Sequence, residues 1–135
     1  MPPAYMLDTN IVSYFIRGNY PRVRQRIVRT PLESLAVSAV TEAELRFWVA
    51  GRPASARVSV GVDDFLLRVP SLPWNSSAAQ IYAVTRDRLK RRGRVLSTED
   101  LMIATHALSL SLTLVTHDQT FSIVDGLRTE DWTVE

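Results

Sequence analysis

The sequence predicts an α/β fold in which helices cover a central, mostly parallel sheet. Short apolar runs alternate with longer segments whose apolar residues recur at helical spacing, and this alternation is typical of parallel-sheet domains. Two apolar runs, 4–7 and 112–116, lead directly into acidic or polar residues, as strands of open α/β sheets do. With 135 residues, the chain is predicted to form a single domain over 1–135.

The first half of the chain is predicted to contain two strands and three helices. A strand over 4–7 precedes a helix over 10–17, which stops at Gly18, and a second helix runs over 21–29. That helix ends near Pro31, because proline disfavours helical geometry in the residue before it. A second strand follows over 35–37, and then a helix from 40 to 50, in which the apolar residues Val40, Ala43, Phe47 and Ala50 recur at helical spacing.

The second half is predicted to contain three helices and two extended segments. The helix over 54–68 is weakened by Gly61, and the proline-rich segment 69–73 belongs at a sheet edge or in a connection. A long helix starts near Asn75 and ends before Gly93, and its predicted inward residues are Ala78, Ile81, Tyr82, Thr85 and Leu89. Ser97 or Thr98 caps the last helix, and the strand at 112–116 follows it.

Composition excludes several kinds of site. The chain is 46% hydrophobic and 22% charged, and its apolar runs are shorter than the ~20 residues needed to span a bilayer. We therefore expect a cytosolic protein without a membrane partner. The absence of cysteine from the sequence excludes disulfides, thiolate metal sites and cysteine nucleophiles, so oxygen or histidine must hold any metal ion.

Positive charge is concentrated in two arginine-rich stretches, although the net charge is only +2. The guanidinium group suits phosphate oxygens, so a nucleic-acid partner is one interpretation, and a solvated helix face is the other. The stretches consist of Arg17, Arg22, Arg24, Arg26 and Arg29, and of Arg86, Arg88, Lys90, Arg91, Arg92 and Arg94.

Four acids, Asp8, Glu44, Asp100 and Asp118, lie at predicted strand ends or early in predicted helices. Each has a purely structural alternative. Asp8 suits a helix cap, Glu44 follows Thr41 at the spacing of a capping box, Asp100 suits the first turn of a helix, and Asp118 suits a turn.

No single capping argument accounts for all four acids, whereas strand ends and helix starts converge on one crevice. Clustered carboxylates repel one another unless a cation compensates them, and oxygen ligands suit Mg²⁺ or Mn²⁺ rather than zinc. The pattern therefore indicates a metal site that activates water for attack on a phosphodiester.

Five segments carry a resemblance that covers nearly the whole chain. They are Met6-Leu7-Asp8-Thr9-Asn10, Thr41-Glu42-Ala43-Glu44-Leu45, Asp100-Leu101-Met102-Ile103-Ala104 with His106-Ala107, Leu114-Val115-Thr116-His117-Asp118, and Gly126-Leu127-Arg128-Thr129-Glu130-Asp131-Trp132. In this order and spacing they resemble the VapC-type PIN-domain ribonuclease toxins of type II toxin–antitoxin systems.

The resemblance implies a PIN-like α/β/α sandwich, an acidic Mg²⁺ site in which Mn²⁺ can substitute, and endoribonuclease activity. It also implies a cognate VapB-type antitoxin and a toxin homodimer within a larger complex. By position, Asp8 and Asp100 are the expected direct metal ligands, and Glu44 and Asp118 complete the catalytic acids. The supporting positions that match are Thr9, Asn10 and Thr116, and His117 is expected to be a loop residue beside the site.

The same resemblance makes the stretch from Arg86 to Arg94 a candidate RNA-binding surface. The segment 126–132 is similar to that of relatives that cut structured RNA such as initiator tRNA. The aromatic residues Tyr14, Phe15, Phe47 and Trp48 are expected to lie in the core, or in a groove for the antitoxin and a second toxin subunit, rather than to stack on RNA bases.

Two other classes of protein share part of this sequence pattern. A haloacid-dehalogenase-type phosphotransferase also begins with a strand that ends in aspartate, but it needs a second aspartate two residues later, where this chain has Asn10. A non-catalytic PIN module that binds RNA or a protein partner remains the alternative function. Retention of all four acids argues against it.

Overall fold

One parallel sheet organises the part of the chain, residues 3–134, that the computed structural model describes. The ends of the predicted domain over 1–135 lie outside the described residues. The strands of the sheet are β1 (Tyr5–Leu7), β2 (Leu35–Ser38), β3 (Ser71–Leu72), β4 (Thr113–Val115) and β5 (Thr129–Glu130). Their order across the sheet is β3-β2-β1-β4-β5, and every neighbouring pair is parallel.

Six α-helices surround the sheet within residues 3–134, and all six were predicted. They are α1 (Thr9–Arg17), α2 (Pro21–Arg29), α3 (Ala39–Val49), α4 (Arg57–Arg68), α5 (Ser76–Arg91) and α6 (Thr98–Ser109). Short 3-10 helices cover Leu32–Ser34 and Gln119–Ile123. In the described part of the chain, no helix is both long and apolar enough to cross a membrane.

The core lies on both faces of the sheet. The pleat of β1 and β4 sends Met6 and Leu114 into a cluster with α6, and it sends Leu7 and Val115 into a cluster with α1, α2 and α4. All four side chains are fully buried, as expected for parallel strands that helices cover on both sides. The architecture is an α/β/α sandwich, which confirms the predicted fold class.

Some details differ from the sequence predictions. Helix α3 buries Thr41 and Leu45, whereas Phe47 is 83% exposed and therefore does not lie in the core, which was one of its two predicted locations. On α5, Ile81 was predicted to face inward but is 37% exposed. Strand β5 was not predicted, because it consists of only two polar residues and forms by pairing with β4.

Helices α1 and α4 approach each other closely at Gly61. A Cβ atom at this position would lie 2.7 Å from Cγ2 of Ile16, well inside van der Waals contact. Ile16 is β-branched and therefore has little freedom to move away. The glycine that weakened the predicted helix is thus explained by helix packing.

We expect Gly61→Ala to destabilise the protein by about 1–2 kcal/mol. Alanine favours a helix over glycine by roughly 0.5–1 kcal/mol, but overpacking costs about 1–3 kcal/mol, so the clash dominates. The free energy of unfolding in urea measures the effect. Gly51→Ala is the matched control, since its Cβ would have no heavy atom within 4 Å, and it should change stability by less than about 0.5 kcal/mol. Equal stability of Gly61→Ala and the parent chain would contradict this account of the packing.

Candidate active site

Two of the four acids lie at the carboxyl ends of neighbouring strands. Asp8 follows β1, its backbone N–H donates to the Val115 carbonyl at 3.0 Å, and its side chain is only 4% exposed. The Asp8 carboxylate accepts a hydrogen bond from the Ile11 N–H at 2.9 Å and so caps α1. Asp118 follows β4, is exposed, and caps the 3-10 helix by accepting from the Thr120 N–H. Asp8 and Asp118 therefore each make a local hydrogen bond to a backbone N–H, as their purely structural alternatives predicted.

Thr116 joins these two acids. Its buried hydroxyl accepts a hydrogen bond from the Asp118 N–H at 3.0 Å and donates to the Asp8 carboxylate. One threonine therefore sets the orientation of Asp8 and the backbone position of Asp118 at once.

Glu44 is held by a different threonine, and it does not form the capping box. The N-cap of α3 is Ser38, whose hydroxyl accepts from the Val40 N–H, so Thr41 lies inside the helix. The Thr9 hydroxyl donates to the Glu44 carboxylate and lies 3.1 Å from the Thr41 hydroxyl. The start of α1 thereby fixes an acid of α3, a contact for which the capping-box spacing offered no signal.

Asp100 lies in the first turn of α6, which begins at the Ser97 cap. Further along this helix, buried His106 anchors α6 to the end of β2, because its Nδ1 lies 2.8 Å from the Ser38 hydroxyl oxygen. Burial lowers the pKa of His106, and a hydrogen bond with the Pro73 carbonyl opposes that effect. Ser38 therefore connects the helix of Asp100 with the helix of Glu44.

Electrostatic effects between pairs of acids link the four acids through Asp100. The pKa of Asp8 is raised to about 6, chiefly by burial and also by the charges of Asp100 and Asp118, against hydrogen bonds from Thr116 and Ile11. The pKa of Asp100 is raised by burial and then by the charge of Asp118.

Glu44 belongs to the same electrostatic network. Burial raises its pKa, as does the charge of Asp100, against the hydrogen bond from Thr9. Glu99 adds a fifth negative charge that raises the pKa of both Glu44 and Asp100. Glu99 was not among the predicted site residues, although its position beside Asp100 was the available signal.

This donor set fits a hard divalent cation. In the described chain, the groups that lower the pKa of Asp8, Glu44 and Asp100 are hydroxyl and backbone hydrogen-bond donors, so no side-chain cation offsets the mutual repulsion. No three Asp, Glu or His side chains among residues 3–134 are grouped tightly enough to hold an ion on their own. Mg²⁺ commonly uses one or two carboxylates and keeps several waters, so Asp8 and Asp100 with water suit it.

Asn10 and His117 lie at the margin of the site. Asn10 is exposed in the first turn of α1, where its backbone carbonyl accepts from the Ser13 hydroxyl. His117 is exposed in the loop after β4, and its Nδ1 lies 2.9 Å from an Asp131 carboxylate oxygen and 3.0 Å from the Thr133 hydroxyl. These contacts attach the loop that carries Asp118 to the C-terminal segment.

The basic stretch of α5 divides between two faces. Arg86, Lys90 and Arg94 line a cavity of about 270 Å³ together with Thr98 and Leu101, which flank Asp100 in α6. The other basic residues of the stretch, Arg88, Arg91 and Arg92, do not line this cavity, and two of them form ion pairs within the described chain. The pairs are Arg91 with Asp87 and Arg92 with Asp125, both at 2.9 Å.

This chain is an α/β/α sandwich with carboxylates at the carboxyl ends of its parallel strands. Such an arrangement is typical of α/β nuclease domains with an acidic site. The chain belongs to the PIN domain family, whose profile matches residues 5–127. Within that family it is a VapC-type protein, as its curated relatives show. It is 35% identical over 129 residues to the tRNA(fMet)-specific endonuclease VapC of Shigella flexneri, covering 95% of this chain and 97% of that protein.

Further relatives agree with this assignment. The chain is 33% identical over 131 residues to Ribonuclease VapC1 of Haemophilus influenzae strain R2866, covering 96% of this chain and 98% of the relative. Among solved structures, it is similar to the DNA-bound VapBC of Salmonella typhimurium, with a TM-score of 0.89, 31% identity and coverage of 98% and 99%. It is also similar to the VapBC2 of Rickettsia felis bound to a promoter DNA fragment, with a TM-score of 0.85, 27% identity and coverage of 95% and 98%.

Proposed function

We propose that this chain is the toxin of a type II toxin–antitoxin pair and that it hydrolyses RNA phosphodiesters in a Mg²⁺-dependent reaction. The observation that carries the proposal is the network of Asp8, Glu44, Asp100 and Asp118, in which negative charges raise the pKa of Asp8, Glu44 and Asp100 at one edge of the sheet. The relatives named as VapC ribonucleases support RNA as the substrate.

Each acid has a distinct part in the proposed reaction. Asp8 and Asp100 hold the cation, and Glu44 and Asp118 complete the negative pocket. When bound, the Mg²⁺ ion polarises the phosphate and lowers the pKa of a water molecule. Thr116 keeps the Asp8 carboxylate aimed into the site, and Thr9 does the same for Glu44. Mn²⁺ is expected to replace Mg²⁺, since it accepts the same oxygen ligands.

The proposed partners are an antitoxin, RNA and a second copy of the chain. Solved relatives are VapBC complexes, two of them bound to DNA, which supports a VapB-type antitoxin next to this toxin. The name of the Shigella flexneri relative supports tRNA as the substrate. Arg86, Lys90 and Arg94, which line the cavity beside α6, are proposed to contact RNA on the Asp100 side of the site.

The test is cleavage of purified bacterial RNA by the purified chain. We expect endonucleolytic cleavage with Mg²⁺ or Mn²⁺, none with excess EDTA, and growth arrest when the chain is expressed without its antitoxin. Sequencing of the new RNA ends after brief induction identifies the substrate and the cleavage site. Undiminished cleavage in EDTA would rule out the metal-dependent reaction. RNA binding without any cleavage in Mg²⁺ or Mn²⁺ would favour the non-catalytic PIN module.

A further inference from the structure

A second basic surface lies on α2, away from the cavity beside α5. The helix contains four arginines and no acid, and three of them follow the spacing i, i+4, i+7 that places side chains on one face. Arg22 and Arg29 are exposed and Arg26 is half-buried. We call Arg22, Arg26 and Arg29 the α2 stripe.

The remaining basic residues of this region serve a different purpose. Arg17 stacks over the Trp48 ring, with its guanidinium carbon 4.9 Å from the ring centroid. Arg24 stacks over Phe15 at 5.0 Å and donates to the Phe15 carbonyl. Arg17 lies outside α2, and Arg24 lies off the face that Arg22, Arg26 and Arg29 share, so the sequence cluster of five contains a separate group of three.

The α2 stripe borders a cavity of about 420 Å³. Three arginines and no acidic residue are among its lining residues in the described part of the chain, so the lining is suited to an anion. Its lining residues are Arg22, Gln25, Arg26, Arg29, Trp132 and Val134.

The middle arginine of the stripe is held rigidly. The Arg26 guanidinium stacks on the Trp132 ring at 4.6 Å and donates to a Glu130 carboxylate oxygen at 3.3 Å. The Trp132 indole N–H donates to the same oxygen at 2.9 Å, and Trp132 is only 2% exposed. Arg26 is therefore fixed on a buried floor, while Arg22 and Arg29 extend into solvent on either side of it.

Aromatic rings connect the stripe with the candidate active site. Tyr20 immediately precedes α2, and its ring centroid lies 4.3 Å from that of Tyr14 and 6.1 Å from that of His117. The charges of Asp8 and Asp118 contribute to the raised pKa of Tyr14, after the larger effect of burial. The α2 stripe therefore begins on the Asp118 side of the acid network.

The position of the stripe matches a need created by the acids. An RNA strand must bring its own negative phosphates up to four carboxylates, so phosphates on both sides of the cleaved bond need cationic contacts. Lys90 and Arg94 are available on the Asp100 side. Along α2, Arg22 and Arg29 are separated by about 10 Å of helix axis, which corresponds to roughly three stacked nucleotides at about 3.4 Å each.

We propose that the α2 stripe binds the RNA backbone on the Asp118 side of the active site, opposite the α5 surface. Arg22 and Arg29 contact phosphates, and Arg26 positions the surface through Trp132 and Glu130. The inference rests on the proposed RNA cleavage and adds the direction in which the strand leaves the site. An acidic protein segment is the competing occupant, and the experiment separates the two.

The experiment measures the affinity for fluorescein-labelled tRNA as a function of salt, in a full-length Asp100→Asn background that prevents cleavage. In the double variant Arg22→Gln/Arg29→Gln we expect about tenfold weaker binding. We also expect a decrease of about 1.4 in the slope of log affinity against log salt, because each lost phosphate contact removes roughly 0.7. Arg26 is left unchanged, since its removal would disturb the packing of Trp132.

Two matched variants complete the design. Arg52→Gln/Arg57→Gln removes the same charge from exposed positions in the loop after α3 and at the start of α4, and it should leave the salt slope within about 0.3 of the parent value. Arg22→Lys/Arg29→Lys keeps the charge and should retain most of the slope. Thermal unfolding confirms that every variant is folded.

The possible results separate this inference from the proposed function. An unchanged salt slope in Arg22→Gln/Arg29→Gln, with cleavage by the unsubstituted chain, overturns the inference alone. Salt-dependent binding that the double variant weakens, without cleavage by the unsubstituted chain, supports the inference and contradicts the catalytic proposal. Weaker antitoxin binding with unchanged RNA binding assigns the stripe to a protein partner and also overturns the inference.

Discussion

Replacing Asp8 or Asp100 with asparagine is expected to lower the rate of RNA cleavage by about a thousandfold or more. A thousandfold loss corresponds to about 4 kcal/mol of transition-state stabilisation. Asparagine keeps the size and a hydrogen-bonding oxygen of aspartate, so residue 8 can still accept from the Ile11 N–H and residue 100 can still bond to Ser97. The variants therefore remove the ligand charge while they preserve the fold. Rates are measured at saturating Mg²⁺ on the RNA that the parent chain cleaves.

Two comparisons make this expectation specific. Asp63→Asn changes an exposed acid of α4 outside the acid network and should leave the rate within a factor of about two. Asp118→Asn should cause a smaller loss than Asp8→Asn, because Asp118 is exposed whereas Asp8 is buried. Cleavage at the parental rate by both Asp8→Asn and Asp100→Asn would contradict the assigned metal ligands.

The second large effect concerns the stability of the metal-free protein. The pKa of Asp8 rises from 3.8 to about 6 on folding, so the folded state binds the proton more tightly than the unfolded state. Between these two pKa values stability must fall as pH rises, since ionisation favours the unfolded state. At about 1.36 kcal/mol for each pKa unit, the loss from pH 4 to pH 7 is about 3 kcal/mol.

Asp8→Asn tests this effect by removing the titration. In EDTA, we expect the variant to be more stable than the parent by about 3 kcal/mol at pH 7 relative to the difference at pH 4. The comparison uses urea unfolding of both proteins at each pH, which cancels contributions from other groups such as His106. A stability difference that is constant from pH 4 to pH 7 would show that Asp8 is ionised as readily in the folded chain as in the unfolded chain. Saturating Mg²⁺ should reduce the difference, because the ion binds the folded parent.

The sequence predicted the elements that local chemistry determines. Asp8, Gly18, Pro31 and Ser97 mark the starts and ends of helices, and the structure places these boundaries within a few residues of the predictions. The strand at 112–116 was equally clear, because its apolar and β-branched residues lead directly into His117 and Asp118. Such signals depend on neighbours in the chain and need no knowledge of the fold.

Contacts between segments that are distant in the chain were harder to predict from the sequence. The hydrogen bond from Thr9 to Glu44 and the contact of His106 with Ser38 depend on how the helices pack. The spacing of residues around Glu44 therefore suggested a capping box and gave no sign of the bond from Thr9. For the same reason, the helical spacing of Phe47 did not decide between the core and a surface groove, and Phe47 is exposed. Strand β5 has almost no intrinsic strand signal, and only its pairing with β4 defines it.

The order of strands in the sheet has a consequence for how a toxic enzyme is synthesised. Strand β1 lies between β2 and β4, so Tyr5 pairs with Thr113, and the first acid meets Asp118 only after nearly the whole chain is available. A nascent chain that lacks β4 has neither the neighbouring strand of Asp8 nor the hydroxyl of Thr116. Long-range parallel pairing of this kind also forms slowly. We therefore expect the proposed activity to arise only late in translation, and truncated products that lack β4 to be inactive on RNA.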